Sequence, residues 1–449
     1  ERRADAAVTL RFCGVDYFAD VWLNGYHLGG HEGYFGEFAF DVGPYLRDDA
    51  NVLRVAVTSP NDPSGPGTHV TSGWHDFSPA SAFPNRKTLV KGTHGHHDAK
   101  RGGAWSSITS QDGNTGGIWD DVKLSVRNPV HLDPSAVRVT ALSASPVRGS
   151  TDARVATRTT LTVSNRSGRT LPARVRLLFE PANFEGEQHE LIKATRLDPG
   201  QNDLTIAGTL SPVALWHPAD HGFPHLYRVT VLLEAEGAVQ DQAVVETGFR
   251  TLAMNAIGES TGKDGAFVVN GRPVFVRGTN LLPTYWLSEY SPERVDRDFE
   301  MLRAAGFNAV LIHNLVAPRC FYEGANRNGF LVVQMFPLQW SYDQSHEMVQ
   351  RITAQVRAMA GLLFNEPSVV SYEVHNEPDM RTFEDIDNRY FDFDLHAVLR
   401  DADPTRWATT FSSGNHAYPG QFYPLRDDTG FSTLPARFLE EDFAGRRIS

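Results

Sequence analysis

The hydrophobic pattern of the chain changes near residue 264, and this change limits the folds that the chain can adopt. Before that point, short segments with alternating apolar residues are separated by Gly, Asn and Asp turns, which is the pattern of β-strands. After it, strand-like runs alternate with segments whose apolar residues recur at helical spacing. Strands that alternate with helices predict a parallel sheet, so an all-β part precedes an α/β part.

The all-β part is predicted to form two domains. Residues 1–127 carry the Asn24-Gly25 dipeptide between apolar runs, which predicts a hairpin because Asn and Gly tolerate the positive φ of a tight turn. We expect a β-sandwich there. Residues 128–250 show short strands with polar turns between them, typical of an immunoglobulin-like sandwich. The strand candidates in this second domain are residues 154–163, 173–179, 203–210, 226–234 and 243–248.

Residues 251–449 are predicted to form a (β/α)8 TIM-type barrel that is trimmed or incomplete. Two β-domains in front of a parallel sheet favour a barrel over a doubly wound sheet, and the α/β part is shorter than the ~250 residues of a typical barrel. Ser291-Pro292 is a helix start, with Ser as N-cap and Pro at the first helical position. The predicted elements are strands 274–278, 309–313, 331–335 and 369–375, and helices from 291 to Gly306, 319–328 and 347–363.

The last of these strands ends in Asn376-Glu377-Pro378. In a barrel, catalytic groups lie at the carboxyl ends of the strands, so Glu377 is the expected chemical carboxylate. A second Asn-Glu-Pro, at residues 365–367, precedes the strand and is predicted to lie at the opposite, stabilising end. If Glu377 faces the barrel axis, Glu373 does too, whereas Val370 faces the helices. A carboxylate inside a barrel is costly unless it is paired, and we expect Arg277 to be its partner.

Composition excludes several function classes. The chain has 42 Lys and Arg against 54 Asp and Glu, a formal net charge of −12 that is dispersed along the sequence. No basic face indicates nucleic acid or anionic lipid as a partner. No apolar run approaches the roughly 18 residues of a membrane helix. Cys13 and Cys320 are too far apart in sequence to predict a disulfide. The chain lacks an initiating Met and looks cut at both ends, so localisation is not readable, and neither is oligomeric state.

Seven stretches follow one another along the chain, namely residues 14–25, 31–35, 115–122, 215–227, 247–250, 267–280 and 365–377. In this order they resemble glycoside hydrolase family 2, which includes β-galactosidases, β-glucuronidases and β-mannosidases. The resemblance covers essentially the whole chain. It implies that residues 1–127 form a sugar-binding β-sandwich of the jelly-roll type. It also implies a retaining exo-acting β-glycosidase that hydrolyses terminal β-linked sugars by double displacement. The implied partner is a carbohydrate, and neither a redox cofactor nor a metal is needed for the chemistry.

The family's retaining mechanism requires two carboxylates about 5–5.5 Å apart. By resemblance, Glu377 is the acid/base and Asn376 holds the sugar 2-hydroxyl. Asp428 aligns with the nucleophile, although the family has Glu there, and Leu311 stands where the family has an Arg near the nucleophile. Three interpretations remain open: Asp428 attacks the sugar, the site is degenerate, or the nucleophile lies beyond Ser449.

Other side chains are predicted to contact the sugar. His313 and Asn314 end a strand, Trp340 follows the next strand with an aromatic face for a pyranose ring, and His416 lies in a loop that the resemblance places over the site. Trp286 is a weaker candidate. The alternative function is a carbohydrate-binding or scaffold homologue that kept the fold and lost turnover. Leu311 and Asp428 favour this alternative, and the sequence does not determine which sugar is bound.

Overall fold

The computed structural model describes residues 6–60, 88–92, 116–254, 267–283, 286–338, 342–343, 345–376 and 388–411. These residues form a β-sandwich, a second β-sandwich and an α/β unit, in that order along the chain. Among the described helices, none is long and apolar enough to span a membrane.

The first unit is an antiparallel β-sandwich. Its strands are β1 (Ala7–Phe12), β2 (Val15–Asp16), β3 (Phe18–Leu23), β4 (Tyr26–Glu32), β5 (Phe38–Asp41), β6 (Leu53–Thr58), β7 (Gly117–Ile118) and β8 (Val122–Arg127). One sheet has the order β5-β1-β8 and another β4-β3-β6, and side chains of β1 and β3 pack together between them. Asn24 and Gly25 join β3 to β4 with φ values of 54° and 89°, so the predicted hairpin is confirmed.

The second unit consists of two sheets packed face to face. Its strands are β9 (Val130–Pro146), β10 (Ala153–Asn165), β11 (Leu171–Pro181), β12 (His189–Leu197), β13 (Gly200–Val213), β14 (Tyr227–Ala235) and β15 (Ala238–Thr247). The orders are β13-β10-β9 and β12-β11-β14-β15, and alternate residues of both sheets fill one core. All five strand candidates are confirmed, whereas β9 and β12 were not predicted.

The third unit begins with a small antiparallel sheet and continues as a parallel one. Its elements are β16 (Leu252–Met254), β17 (Phe267–Val269), β18 (Arg272–Val274), β19 (Gly278–Leu281), α1 (Pro292–Ala304), β20 (Ala309–Ile312), α2 (Arg319–Asn328), β21 (Leu331–Met335), α3 (His346–Leu363), β22 (Val369–His375), α4 (Asn388–Ala402) and β23 (Trp407–Phe411). The described parallel strands have the order β19-β20-β21-β22-β23. Ser291 caps α1 by accepting a hydrogen bond from the Arg294 N–H, as predicted.

The first parallel strand was misplaced by the sequence pattern. The apolar run from Val274 predicted a strand over residues 274–278, but Val274 ends the β17–β18 hairpin and the parallel strand begins at Gly278. The hairpin is apolar because it closes the amino-terminal end of the sheet. Val274 packs there with Trp216 and with Ala309 and Val370, which lie at the starts of β20 and β22.

A β-bulge near the start of β22 overturns part of the predicted side-chain alternation. Val332 of β21 pairs with Val369, but Val333 pairs with Ser371, so Val370 is the extra residue of the bulge. The sequence pattern predicts that Val370 faces the helices, and this prediction is wrong. Val370 packs with Ala309 and Leu331 in the layer below the sheet. The alternation beyond the bulge agrees with the prediction, since Tyr372 and Val374 belong to the core shared with the helices.

The amino-terminal end of β22 is held by two arginines and an asparagine. Arg406 donates hydrogen bonds to the backbone oxygens of Phe364, Glu366 and Val369, and it pairs with buried Asp403. Arg250, at the end of the second unit, donates to the backbone oxygens of Pro367 and Val369, both at 2.6 Å. Asn365 bonds to the backbone of β9 through both ends of its amide. The upstream Asn-Glu-Pro thus lies at the end opposite Asn376, as predicted.

Candidate active site

The first sandwich docks onto the α/β unit through residues 31–35. Arg351 of α3 makes a bidentate ion pair with Glu32, with both N···O distances 2.7 Å. The Tyr34 hydroxyl accepts a hydrogen bond from the Val316 N–H at 2.7 Å, and burial raises the pKa of Tyr34 well above its usual value. Tyr34 and Phe35 belong to the same hydrophobic core as the helices. The sandwich is therefore packed into the α/β core beside the carboxyl end of β20.

His313 and Asn314, two of the predicted sugar contacts, come directly after β20. Val310 and Ile312 pack toward the helices, whereas Ala309 packs in the layer below the sheet, so the alternating positions Leu311 and His313 share the inner face. Asn314 is fully buried with a left-handed backbone, φ 49°, and its side-chain oxygen accepts no hydrogen bond within the described residues. The inner face of β20 thus offers an apolar side chain at 311 and polar groups at the strand end.

Asn376 comes directly after β22 and is only 3% exposed. Its backbone N–H donates to the Leu338 oxygen at 2.9 Å, which fixes the strand end against the segment that follows β21. Since neighbouring strands are ~4.8 Å apart, the ends of β20 and β22 lie on the order of 10 Å apart across β21. That spacing suits one sugar ring between them. The structure thus brings His313, Asn314 and Asn376 to one edge of the sheet.

The remaining predicted site residues lie outside the described residues. They are Glu377, Asp428, Trp340 and His416. The weaker candidate Trp286 is described, precedes the short helical turn at residues 287–289 and is 53% exposed. Within the described residues, no three His, Cys, Asp or Glu side chains are grouped to hold a metal ion.

The predicted pairing of Glu373 with Arg277 is wrong. Arg277 precedes β19 at the amino-terminal edge of the sheet, where it donates to the Gly306 oxygen and to Asp220. Glu373 lies in the second half of β22, 1% exposed, in register with Met335 and Thr409. The two side chains are separated along the strand direction because the first parallel strand begins four residues later than predicted.

Glu366 of the upstream Asn-Glu-Pro is a buried carboxyl whose contacts stabilise the fold. It is 4% exposed and accepts a hydrogen bond from the Asn326 amide. Burial raises its pKa to about 7, and the charges of Arg319 and Arg406 only partly oppose that effect. A perturbed carboxyl of this kind also occurs at catalytic sites, but Glu366 lies at the wrong end of the strand for barrel chemistry.

A segment of the first sandwich reaches the edge of the site, and the sequence did not predict this. An ideal Cβ on Gly92 would lie 1.8 Å from the Asn314 backbone oxygen and 3.0 Å from Pro337 Cβ, and Gly92 has φ +56°. Only glycine fits this contact, because any Cβ would collide with the chain after β20. Gly92 therefore packs on the backbone of a predicted sugar contact.

Two buried interactions hold this segment in place. The Lys91 ammonium, 1% exposed, donates to Ser59 Oγ at 2.6 Å and pairs with Asp16 at 3.2 Å. The Val90 N–H donates to the Tyr17 hydroxyl at 2.8 Å. The only sequence signal was the apolar pair Leu89-Val90 inside a stretch of sequence otherwise rich in Gly, Pro and His.

A Gly92→Ala substitution is expected to destabilise the protein and to weaken sugar binding. The left-handed conformation alone costs about 1–2 kcal/mol for a residue with a Cβ, and displacement of Asn314 adds to this. Thermal unfolding would measure the loss of stability, and calorimetric titration of the protein with a sugar would measure the loss of binding. Gly168→Ala is the matched control, because Gly168 has φ +74° but open space around its Cβ position. Equal behaviour of the two variants would show that the Asn314 contact has no importance.

Two β-sandwiches docked on a parallel α/β unit, with amide and imidazole groups at the strand ends, define a modular protein of two β-domains and one α/β domain. Residues 1–90 match the model of the glycosyl hydrolase 2 galactose-binding domain-like family, and residues 137–250 match that of glycosyl hydrolases family 2. These two stretches therefore carry the sequence pattern of glycoside hydrolase family 2.

Relatives of the chain include glycosidases, and a solved structure shares its fold. The chain is 25% identical to a β-galactosidase of Thermoanaerobacter pseudethanolicus, over 75% of this chain and 38% of that protein. It is 24% identical to the β-mannosidase of Capra hircus, over 82% of this chain and 41% of that protein. A crystal structure of Bacteroides uniformis β-glucuronidase shares the fold, with a TM-score of 0.70, 18% identity, and coverage of 91% of this chain and 44% of that one. The chain thus spans less than half the length of these proteins.

Proposed function

We propose that this chain belongs to a retaining exo-acting β-glycosidase, in which Glu377 is the acid/base and Asn376 binds the sugar 2-hydroxyl. The observation that carries the proposal is the buried strand β22, which delivers Asn376 at its carboxyl end beside β21 and β23. Residue 377 follows at once, where a carboxylate can protonate a leaving oxygen. His313 and Asn314 supply polar contacts from β20, and Trp340 and His416 complete the proposed sugar site.

The domain organisation belongs to the same proposal. Residues 1–127 form a sugar-binding type jelly roll, residues 128–250 an immunoglobulin-like sandwich, and residues 251–449 part of a (β/α)8 barrel. The separate cores of the two sandwiches and the five consecutive parallel strands support this division. In this arrangement β19 to β23 are the first five barrel strands, and their carboxyl ends face the substrate.

In the proposed reaction, protonated Glu377 gives its proton to the leaving oxygen while a carboxylate attacks the anomeric carbon. Water then releases the sugar, with Glu377 as the base. Asp428 is the candidate nucleophile. Its side chain is one methylene shorter than Glu, and the inner-face position 311 carries leucine and no cation to favour an ionised carboxylate.

The second candidate function is that of a sugar-binding homologue without turnover. Leu311 favours this function, because it provides no cation to keep a carboxylate nucleophile ionised. A 2-fluoro β-glycoside with a good leaving group separates the two functions, because it traps the covalent intermediate. Mass spectrometry of the labelled protein is expected to find one sugar on the nucleophile peptide, with Asp428 as the modified residue. Sugar binding by calorimetry without any label or product would instead establish the second function. A panel of nitrophenyl β-glycosides would then identify the sugar.

A further inference from the structure

A cleft of about 460 Å³ lies between the second sandwich and the amino-terminal side of the α/β unit. This volume is within the range of small-molecule sites. The outer face of β9 and β10 forms one wall, and residues around the end of α3 and the end of α4 form the other. The cleft is at the opposite end of the strands from Asn376 and takes no part in the proposed glycosidase site.

The charges around the cleft are unbalanced. Among the described residues that line the cleft, four are arginines (Arg138, Arg158, Arg250 and Arg406) and one is a carboxylate, Asp401. Buried Asp403, which does not line the cleft, neutralises Arg406 through a direct ion pair. Four guanidinium groups and these two carboxylates leave two positive charges in excess. This excess is notable in a chain whose formal net charge is −12.

Two of the four guanidinium groups are available to a ligand. Within the described residues, Arg158 has no ion-pair partner, and Arg138 makes a single long hydrogen bond of 3.4 Å to the Ala402 oxygen and lies over the Phe364 ring. The other two are fixed by backbone oxygens near β22 and cannot turn away. Burial, and to a smaller extent the nearby Arg406 charge, lower the pKa of Arg250 to about 9.

We propose that this cleft binds a tetrahedral oxyanion, either a free phosphate or sulfate ion or such a group carried on a sugar. Guanidinium groups donate paired hydrogen bonds in a fork that matches phosphate and sulfate oxygens. Arg158 and Arg138 approach from the sandwich, and the hydroxyl of Thr160 on the same wall adds a donor. Leu142, Leu252 and Phe364 provide an apolar surface for the body of a ligand that carries the group.

Isothermal titration calorimetry of the whole protein with inorganic sulfate, inorganic phosphate and glucose 6-sulfate tests the proposal. We expect saturable binding of one oxyanion per chain, weakened at least 10-fold in Arg158→Gln and further in the Arg138→Gln/Arg158→Gln double variant. Arg154→Gln is the matched control, since Arg154 is on the same strand and face as Arg158 but outside the cleft. Tighter binding of the sugar sulfate than of sulfate would identify the group on a sugar as the ligand.

Absence of saturable binding by all three probes would overturn the proposal, and so would equal weakening in Arg154→Gln and Arg158→Gln. Arg158 is exposed, so its replacement leaves the fold intact, and thermal unfolding of each variant verifies this. None of these measurements depends on glycoside turnover, so the cleft and the proposed glycosidase site can fail independently.

Discussion

A Glu377→Gln variant is expected to hydrolyse alkyl β-glycosides about 10²–10⁴-fold more slowly than the wild-type protein, which is the usual contribution of a general acid/base. Glutamine has nearly the same shape as glutamate but cannot transfer a proton to the leaving oxygen. The loss in the first chemical step should be smaller for glycosides of acidic phenols, because such leaving groups depart without protonation. Steady-state kcat/KM for matched alkyl and nitrophenyl glycosides measures both effects.

The chain supplies its own control for this substitution. Glu366 stands in an identical Asn-Glu-Pro tripeptide, but it is buried at the amino-terminal end of β22 and bonded to Asn326. Glu366→Gln keeps an acceptor for the Asn326 amide and should leave kcat/KM within about twofold of wild type. If Glu366→Gln lost the activity and Glu377→Gln kept it, the assignment of the acid/base would be reversed.

The largest loss of stability is expected for Arg406→Met. This substitution removes the hydrogen bonds to Phe364, Glu366 and Val369 and leaves Asp403 as a buried carboxylate that has lost its cation. Breaking a buried ion pair from one side costs about 3–5 kcal/mol. For a unit of this size the midpoint of thermal unfolding should fall by roughly 10 °C.

Arg297→Met on the exposed face of α1 is the comparison for this stability change, because it removes the same side chain from the surface. Surface substitutions usually change stability by no more than about 0.5 kcal/mol. If the two variants unfolded at the same temperature, the bonds around the start of β22 would contribute nothing to stability. Thermal unfolding followed by circular dichroism distinguishes these outcomes.

The sequence predicted much of the α/β unit because its signals are local. Strands 331–335 and 369–375 and the helix 319–328 have the predicted bounds, since a proline, glycine or polar residue lies within two positions of each end. The β9 strand was missed because Asp133-Pro134-Ser135 has the composition of a turn. In the structure, irregular register between β9 and β10 accommodates these residues, so the strand continues through them.

The candidate site was predicted less completely because it depends on contacts between distant segments. His313, Asn314 and Asn376 could be placed from their positions after strands. Gly92 could not, because its contact with Asn314 exists only once the first sandwich is docked on the α/β unit. For the same reason the bulge at Val370 was invisible, since a bulge is defined by the partner strand β21 and not by the sequence of β22.

The bulge at Val370 also affects how this strand could be transferred to another scaffold. Below the bulge, contacts with the second sandwich set the orientation of β22. Above the bulge, the strand is oriented so that it ends at the buried Asn376. A graft that joined the upper half of β22 to a regular strand without the bulge would shift the alternation by one residue. The side chains of the upper half would then point to the opposite face. The anchored lower half of β22, the bulge and the end that carries Asn376 must therefore be transferred as one segment.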